Sequence, residues 1–309
     1  MLPPPGVLLL RASGEGRKFP DTPLPADFVL FHPWESLSPD GDREPPAELS
    51  GLEESPLDTA GRLRYQRIVG SLNYAAHVTR LDIAYAVCQK PRQRHLEAAE
   101  RCTLYLGGTA DWGIRYSRDE CCYFLEAYCD ANLSPHGETS NMTGMILQLG
   151  GGTVSWMAKK QERKSSSTTH SEALAVMTTA QHVVHMRDLL VVFGCTQGWP
   201  TPLYNDSTAC VAISTEPRAH HRSIQLTRPM GMVRELVHDG YLEPKYMSTS
   251  SMPADFLTKR LAREQFEKCR GMAGLTPLPP YVVSLSTAPA AEQGECRNLG
   301  LSVPLPCTV

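Results

Sequence analysis

Residues 122–130 read CYFLEAYCD. Tyr123, Leu125, Ala127 and Cys129 alternate with Phe124, Glu126, Tyr128 and Asp130, the period of two that belongs to a β-strand. The run predicts a strand whose end carries a single carboxylate, Asp130. Two more strand patterns follow, TGMILQLG at 143–150 and GTVSWMA at 152–158, and the glycines 150–152 fall at their junction. Glycines between two such runs signal a tight hairpin. Three strands in succession predict an antiparallel meander.

Beyond the meander the period changes. In THSEALAVMTTAQHVVHMRDLLVVFG (169–194), Val176, Ala180, Val183, Met186, Leu190 and Phe193 recur at spacings of three and four. That spacing predicts an amphipathic helix, with Gly194 as its stop. TPLYND (201–206) reads as a strand and STACVAIST (207–215) as a short helix. MGMVRELVHDG (230–240) is a further helix, and YLEPKYMS (241–248) is a strand whose Pro244 requires an edge position. MPADFLTKRLAREQFEKCRGMAGL (252–275) is expected to be the last helix. The order βββαβααβα predicts an α/β fold: a mixed five-stranded sheet with helices on its faces.

Four carboxylates stand out by position. Asp130 and Asp206 end strands, Glu172 falls in the first turn of the long helix, and Asp255 opens the last one. Strand ends and helix starts are where a sheet fold gathers distant residues at one rim. Each also has a plainer use: Asp130 as a turn former, Asp206 as an N-cap, Glu172 and Asp255 as complements to a helix dipole. Four oxygen donors without a His or Cys companion suit Mg²⁺ or Mn²⁺ better than Zn²⁺. Two such ions about 4 Å apart clamp the attacking and leaving oxygens of a phosphodiester.

The remaining chain sets bounds. Thirty basic and 33 acidic residues leave a net charge of −3, so a nucleic-acid partner would have to be met by local basic patches. The ten cysteines include no C-x-x-C pair, which fits reduced thiols in the cytosol or nucleus rather than a disulfide scaffold or zinc site. The N-terminal apolar run is short and lacks a basic flank, so neither secretion nor a membrane span is expected. Residues 1–59, rich in Pro, Gly and acidic residues, are expected to form a flexible lead-in, and 276–309 a disordered tail. Between them, 60–118 reads as a small helical segment with a basic excess, and 119–275 as the α/β domain.

Several blocks carry a family resemblance. YQRIVGSLNYAAHVTRLDIAYAV, EAAERCTLYLGGTADWGIRY, YCDAN, GGGTVSWMAKKQERKSSSTTHSEALAV, YNDSTACVAI, MVRE and PADFLTKRL occur in that order over 62–275. In order and content they resemble the C-terminal end of a Ty1/copia-type retrotransposon polyprotein: the tail of the reverse-transcriptase region followed by a ribonuclease H domain. The resemblance implies a ribonuclease H-like fold and a DEDD metal site on Asp130, Glu172, Asp206 and Asp255. It implies that Asp130 bridges two Mg²⁺ ions (Mn²⁺ being the other candidate). Asp255 would hold the ion that activates water, and Glu172 with Asp206 the one at the leaving oxygen. The implied reaction is hydrolysis of the RNA strand of an RNA–DNA hybrid. No Y-x-D-D occurs, so the resemblance includes no polymerase active site; a polymerase-bearing part of the same element is the partner it implies.

WMAKKQERKSSSTTHSE (156–172) links the third strand to the long helix. Lys159, Lys160, Arg163 and Lys164 are the candidate phosphate contacts, with a solvated loop as the alternative. His220 and His221 are a surface loop or a proton carrier. Three blocks depart from the family pattern. Asn132-Leu133 replaces the usual acid and Trp, Leu174 stands where a second acid is common, and RSIQLTRPMG (222–231) has lost a His and an Asp. These departures keep a second reading open: a weak or inactive retroelement remnant that folds and binds nucleic acid.

Overall fold

The computed structural model describes residues 57–85, 93–116, 123–132, 141–161, 165, 167–215 and 224–278. Most of the predicted lead-in, the tail beyond 278, and Arg163, Lys164, His220 and His221 lie outside the described residues.

The first unit is helical. α1 spans Thr59–Val78, its N-terminus capped by the Asp58 carboxylate, which accepts from the Gly61 amide at 2.7 Å. α2 spans Gln93–Gly108. A short strand, β1 (Trp112–Ile114), leads on to the sheet.

The meander forms as its alternation requires: β2 (Glu126–Asn132), β3 (Met142–Leu149) and β4 (Gly152–Lys160). Between β3 and β4 lie only Gly150 and Gly151, with φ of 59° and 73°. A two-residue turn with both φ positive matches strand twist and is open to glycine at little cost. β2 starts later than the alternation indicates and runs past Asp130 to Asn132. Asp130 therefore sits inside the strand rather than at its tip.

α3 follows (Thr168–Val192), capped by Ser167, then β5 (Thr201–Asn205), α4 (Thr208–Thr215), α5 (Ile224–His238) and β6 (Leu242–Tyr246). The sheet order is β4-β3-β2-β5-β6. β2 pairs antiparallel with β3, and β3 with β4, whereas β2–β5 and β5–β6 are parallel. This is the mixed five-stranded sheet of the ribonuclease H-like fold expected above. Pro244 lies in β6, an edge strand as its missing N–H demands.

One prediction fails in detail. Residues 252–275 are not one helix: Pro253–Leu257 forms a 3₁₀ turn, α6 begins only at Arg263, and β7 (Leu275–Pro277) closes against β1. The break arises because Thr258 and Lys259 turn inward to Asp130, which a continuous helix facing solvent would not allow. β1 and β7 escaped prediction because three-residue strands carry too little periodicity.

Two apolar clusters sandwich the sheet. Leu125, Ala127, Cys129, Met145 and Leu147 face α3 through Val176, Ala180, Val183 and Leu190. Phe193, expected on that face, instead caps α3 and is exposed. On the other face, Tyr128 and Ile146 meet α1, α2, the 3₁₀ turn and α6 in one continuous cluster. Trp156 of β4 donates its indole N–H to the Ala76 carbonyl of α1 at 2.7 Å. A buried polar knot reinforces the joint. Arg80 forks onto Asp82 at 3.0 and 2.8 Å, Tyr105 donates to Asp82 at 2.6 Å, and Arg270 of α6 donates to the Tyr105 hydroxyl at 2.8 Å. Planar, bidentate pairing satisfies charges that would be costly to bury alone.

Candidate metal centre

Parallel β2 and β5 end at the same rim, and there the acidic residues gather. Asp130 on β2 is fully buried, with 0% exposure. Glu172 is 3% exposed; it lies on α3 just past the first turn, since the helix starts at Thr168. Asp206 follows the last residue of β5 and is half-buried. Ligand oxygens of these three lie within 4.8 Å of one another.

Asp255, 2% exposed in the 3₁₀ turn, is not in that triad. It joins through Lys259, one helical turn on, whose ammonium lies 3.0 Å from Asp255 Oδ1 and 3.2 Å from Asp130 Oδ1. Asp130 Oδ2 accepts from the Thr258 hydroxyl.

Each carboxylate has a fixed orientation. Asn205, the last residue of β5, donates to Glu172 Oε2 at 2.9 Å and to the Cys129 carbonyl at 3.2 Å. Thr249 donates to Asp206 Oδ2 at 2.9 Å. Gln161 holds the approach to α3: its amide N–H₂ donates to Thr143 Oγ1 and to the Ser171 carbonyl, both at 3.0 Å, and its oxygen accepts from Ser171 Oγ at 3.1 Å. β3 meanwhile presents Gly144 directly opposite Asp130. A Cβ there would fall 2.8 Å from Thr258 Cγ2, 2.9 Å from the Ala254 carbonyl and 3.0 Å from Leu257 Cβ. Glycine lets the 253–259 turn lie flat on the strand. None of Gly144, Asn205, Thr258 and Lys259 was singled out from sequence. Only Lys259 left a signal, its i,i+4 spacing from Asp255 in PADFLTK.

Crowding and burial raise the carboxyls of Asp130, Glu172 and Asp255. Asp130 is shifted up by burial, opposed by Lys259 and Thr258. Glu172 is pushed to about 8 by burial and then by the Asp130 charge. Asp255 rises to about 6 for the same two reasons in the same order. Burial alone would lower Lys259, but the charges of Asp130 and Asp255 outweigh it and its pKa rises. Burial drives Cys129 far up and Cys210 to about 12, so both stay protonated. Buried carboxyl oxygens crowded at one rim could hold a hard divalent ion.

Strand register places the basic candidates. Lys160 pairs with Met142, and Met142 with Asn132; Lys159 pairs with Thr143, and Thr143 with Ala131. Both lysines are exposed at the metal-site rim, two strands, or roughly 10 Å, from β2. Lys160 is in phase with Asp130 and shares its face, whereas Lys159 belongs to the α3 face. Asn132, one of the departures, donates to the Thr258 carbonyl at 3.3 Å and so supports the same turn.

No family model matches the chain. It is 33% identical over 223 residues to the retrovirus-related Pol polyprotein from transposon RE1 of Arabidopsis thaliana, an alignment spanning 70% of this chain and 15% of that protein. It is 31% identical over 223 residues to the Pol polyprotein from transposon TNT 1-94 of Nicotiana tabacum, spanning 69% and 16%. The chain is a homologue of transposon-encoded Pol polyproteins. This Pol homologue spans less than a fifth of the length of those relatives. Among solved structures it resembles LC11-RNase H1 isolated from compost, at 13% identity and a TM-score of 0.37, over 48% of this chain and 98% of that one. Likeness at that level carries no functional inference.

Proposed function

We propose that the chain is a ribonuclease H-type endonuclease domain that hydrolyses the RNA strand of RNA–DNA hybrids. The observation that supports this best is the meeting of Asp130, Glu172 and Asp206 from three separate elements at one sheet rim, two of them buried. Buried carboxylates that outnumber their cationic partners are costly to fold, and a site built on such residues is a functional-site candidate.

Asp130, Glu172 and Asp206 would hold one divalent ion, Mg²⁺ or Mn²⁺, and Asp130 with Asp255 a second. When bound, such ions supply Lewis-acid polarisation of a phosphodiester and stabilise the leaving oxygen. The chain's own residues do the rest. Asn205 keeps Glu172 aimed at the rim, and Thr249 does the same for Asp206. Thr258 holds one oxygen of Asp130, and the Lys259 ammonium lies on the other. Lys160, on the face of Asp130, takes a substrate phosphate, with Lys159 flanking it; Arg163 and Lys164 remain proposed phosphate contacts.

A nucleic-acid partner is supported by the Pol homology and the exposed lysines at the rim. A polymerase-bearing part of the same element is a second proposed partner, in keeping with the chain's small share of its relatives' length. Among the described residues no helix is long and apolar enough to cross a membrane, and the five described cysteines are free thiols. A cytoplasmic or nuclear location is the one we propose.

The test is cleavage of a labelled RNA–DNA hybrid by the purified chain in Mg²⁺ or Mn²⁺, with single-stranded RNA and duplex DNA as controls. Ion-dependent cuts confined to the RNA strand of the hybrid are expected. Hybrid binding without cleavage would instead establish the inactive-remnant reading, for which the drift at Leu174 and 222–231 is the ground.

A further inference from the structure

The Lys259 ammonium sits between two buried carboxylates, 3.2 Å from Asp130 and 3.0 Å from Asp255. Those are the two groups that an ion on the Asp255 side would share. We propose that Lys259 is a built-in counter-cation of the ion-free site, and that an ion can occupy the Asp255 side only after Lys259 swings out to solvent. The inference rests on the divalent-ion reading above and adds a competitor to it.

Three features carry the proposal. First, position: the triad of Asp130, Glu172 and Asp206 leaves Asp255 out, and Lys259 fills the gap between Asp255 and Asp130. Second, attachment: the Lys259 amide donates to the Asp255 carbonyl at 3.0 Å, and the neighbouring Thr258 hydroxyl is bonded to Asp130. The backbone under Lys259 is thereby held, while the ammonium at the end of its four-carbon stem is held only by the two carboxylates. Third, an exit: the Lys259 side chain is 30% exposed, whereas those of Asp130 and Asp255 are 1% and 3% exposed. A flexible ammonium with a route to water is a cation that can leave. The charge balance closes either way. One positive charge stabilises the crowded acids without an ion, and a divalent ion replaces it with two.

Two ion sites of unequal affinity follow. The Asp206 side loads first, because of its three carboxylates only Asp130 is paired with Lys259, whereas both carboxylates of the Asp255 side are. The Asp255 side loads at higher ion concentration, since each ion bound there must displace an ion pair.

The experiment titrates Mn²⁺ alone into the full chain by calorimetry, for the natural protein, Lys259→Met and Lys259→Arg. The natural protein is expected to show a tight and a weak step. Lys259→Met should tighten the weak step by roughly tenfold or more while leaving the tight step within about twofold. Lys259→Arg, which keeps the charge, should leave the weak step weak. Unchanged binding in Lys259→Met would overturn the proposal while the metal-site reading stood. No Mn²⁺ uptake by the natural protein would remove the metal-site reading itself, and this proposal with it. Should Lys259→Met not fold, amine-reactive labelling of the natural chain decides. Mn²⁺ should raise modification of Lys259 several-fold, with Lys245 and Lys268 as unaffected references, and constant Lys259 labelling at saturating ion would overturn the displacement.

Discussion

Gly144→Ala tests how the site is assembled. One methyl is added on β3, opposite Asp130. It would meet Thr258 Cγ2 at 2.8 Å, the Ala254 carbonyl oxygen at 2.9 Å and Leu257 Cβ at 3.0 Å. Carbon contacts want at least about 3.5 Å, and one of the three partners is backbone in a 3₁₀ turn. The turn must therefore lift by some tenths of an ångström. Overpacking of this kind costs about 1–3 kcal/mol. Losing a glycine from the unfolded chain gives back about 0.4–1 kcal/mol. The net expectation is a loss of about 1–2 kcal/mol, or a fall in Tm of roughly 2–8 °C for a unit of this size. Because the lifted turn carries Asp255, Thr258 and Lys259, ion binding and cleavage should fall with it. The control is Gly70→Ala. Gly70 lies mid-helix in α1 with nothing within 4 Å of its added Cβ, so the same substitution should stabilise by about 0.5–1 kcal/mol and leave cleavage alone. Both Tm values come from thermal melts followed by circular dichroism. A Gly144→Ala protein as stable and as active as the parent would refute the close-approach reasoning.

Further outcomes are expected. Asp130→Asn should abolish hybrid cleavage yet leave the ion-free fold no less stable, because burial raises this carboxyl by more than Lys259 and Thr258 lower it, and Lys259 keeps Asp255 as its partner; retained turnover would remove Asp130 from the site. Lys160→Ala should weaken hybrid binding and make its salt dependence shallower by about one ion, with turnover at saturation preserved, as read from affinity across a salt series. In chelator, stability should fall as pH rises from about 4.5 to about 8. Over that window the unfolded Glu172 has released its proton while the folded one, pushed to about 8, retains it, so fewer protons are bound unfolded than folded and the slope is negative. The loss is on the order of 3–5 kcal/mol, measurable by urea unfolding at several pH values. Glu172→Gln should flatten most of it, and a stability that rises over this window would contradict the burial of Glu172.

Much was legible in the residues. The period of two in CYFLEAYCD, the Gly-Gly turn and the period near 3.6 after Thr168 are local signals, and local signals survive tertiary context when one face is buried. Pro244 pointed to an edge strand because a missing N–H has no other place in a sheet. The two short strands β1 and β7 and the break after Leu257 were not legible. The first pair is too short for periodicity, and the second is decided by where Thr258 and Lys259 find partners.

The same division holds at the site. Sequence alone proposed the side chains for a hard cation: Asp130, Glu172, Asp206 and Asp255 were picked out by their place at the ends of predicted elements, and the family blocks fell on the same four. Tertiary structure alone decided how they stand. It brought three within reach of one another, left the fourth behind a lysine, and recruited Asn205, Gln161 and Gly144 to hold the geometry. The physical reason is range. Hydrophobic periodicity is encoded between neighbours three or four residues apart, whereas Asp130 and Lys259 are 129 positions apart in the chain. Nothing in either residue's own surroundings states that distance until the sheet has closed.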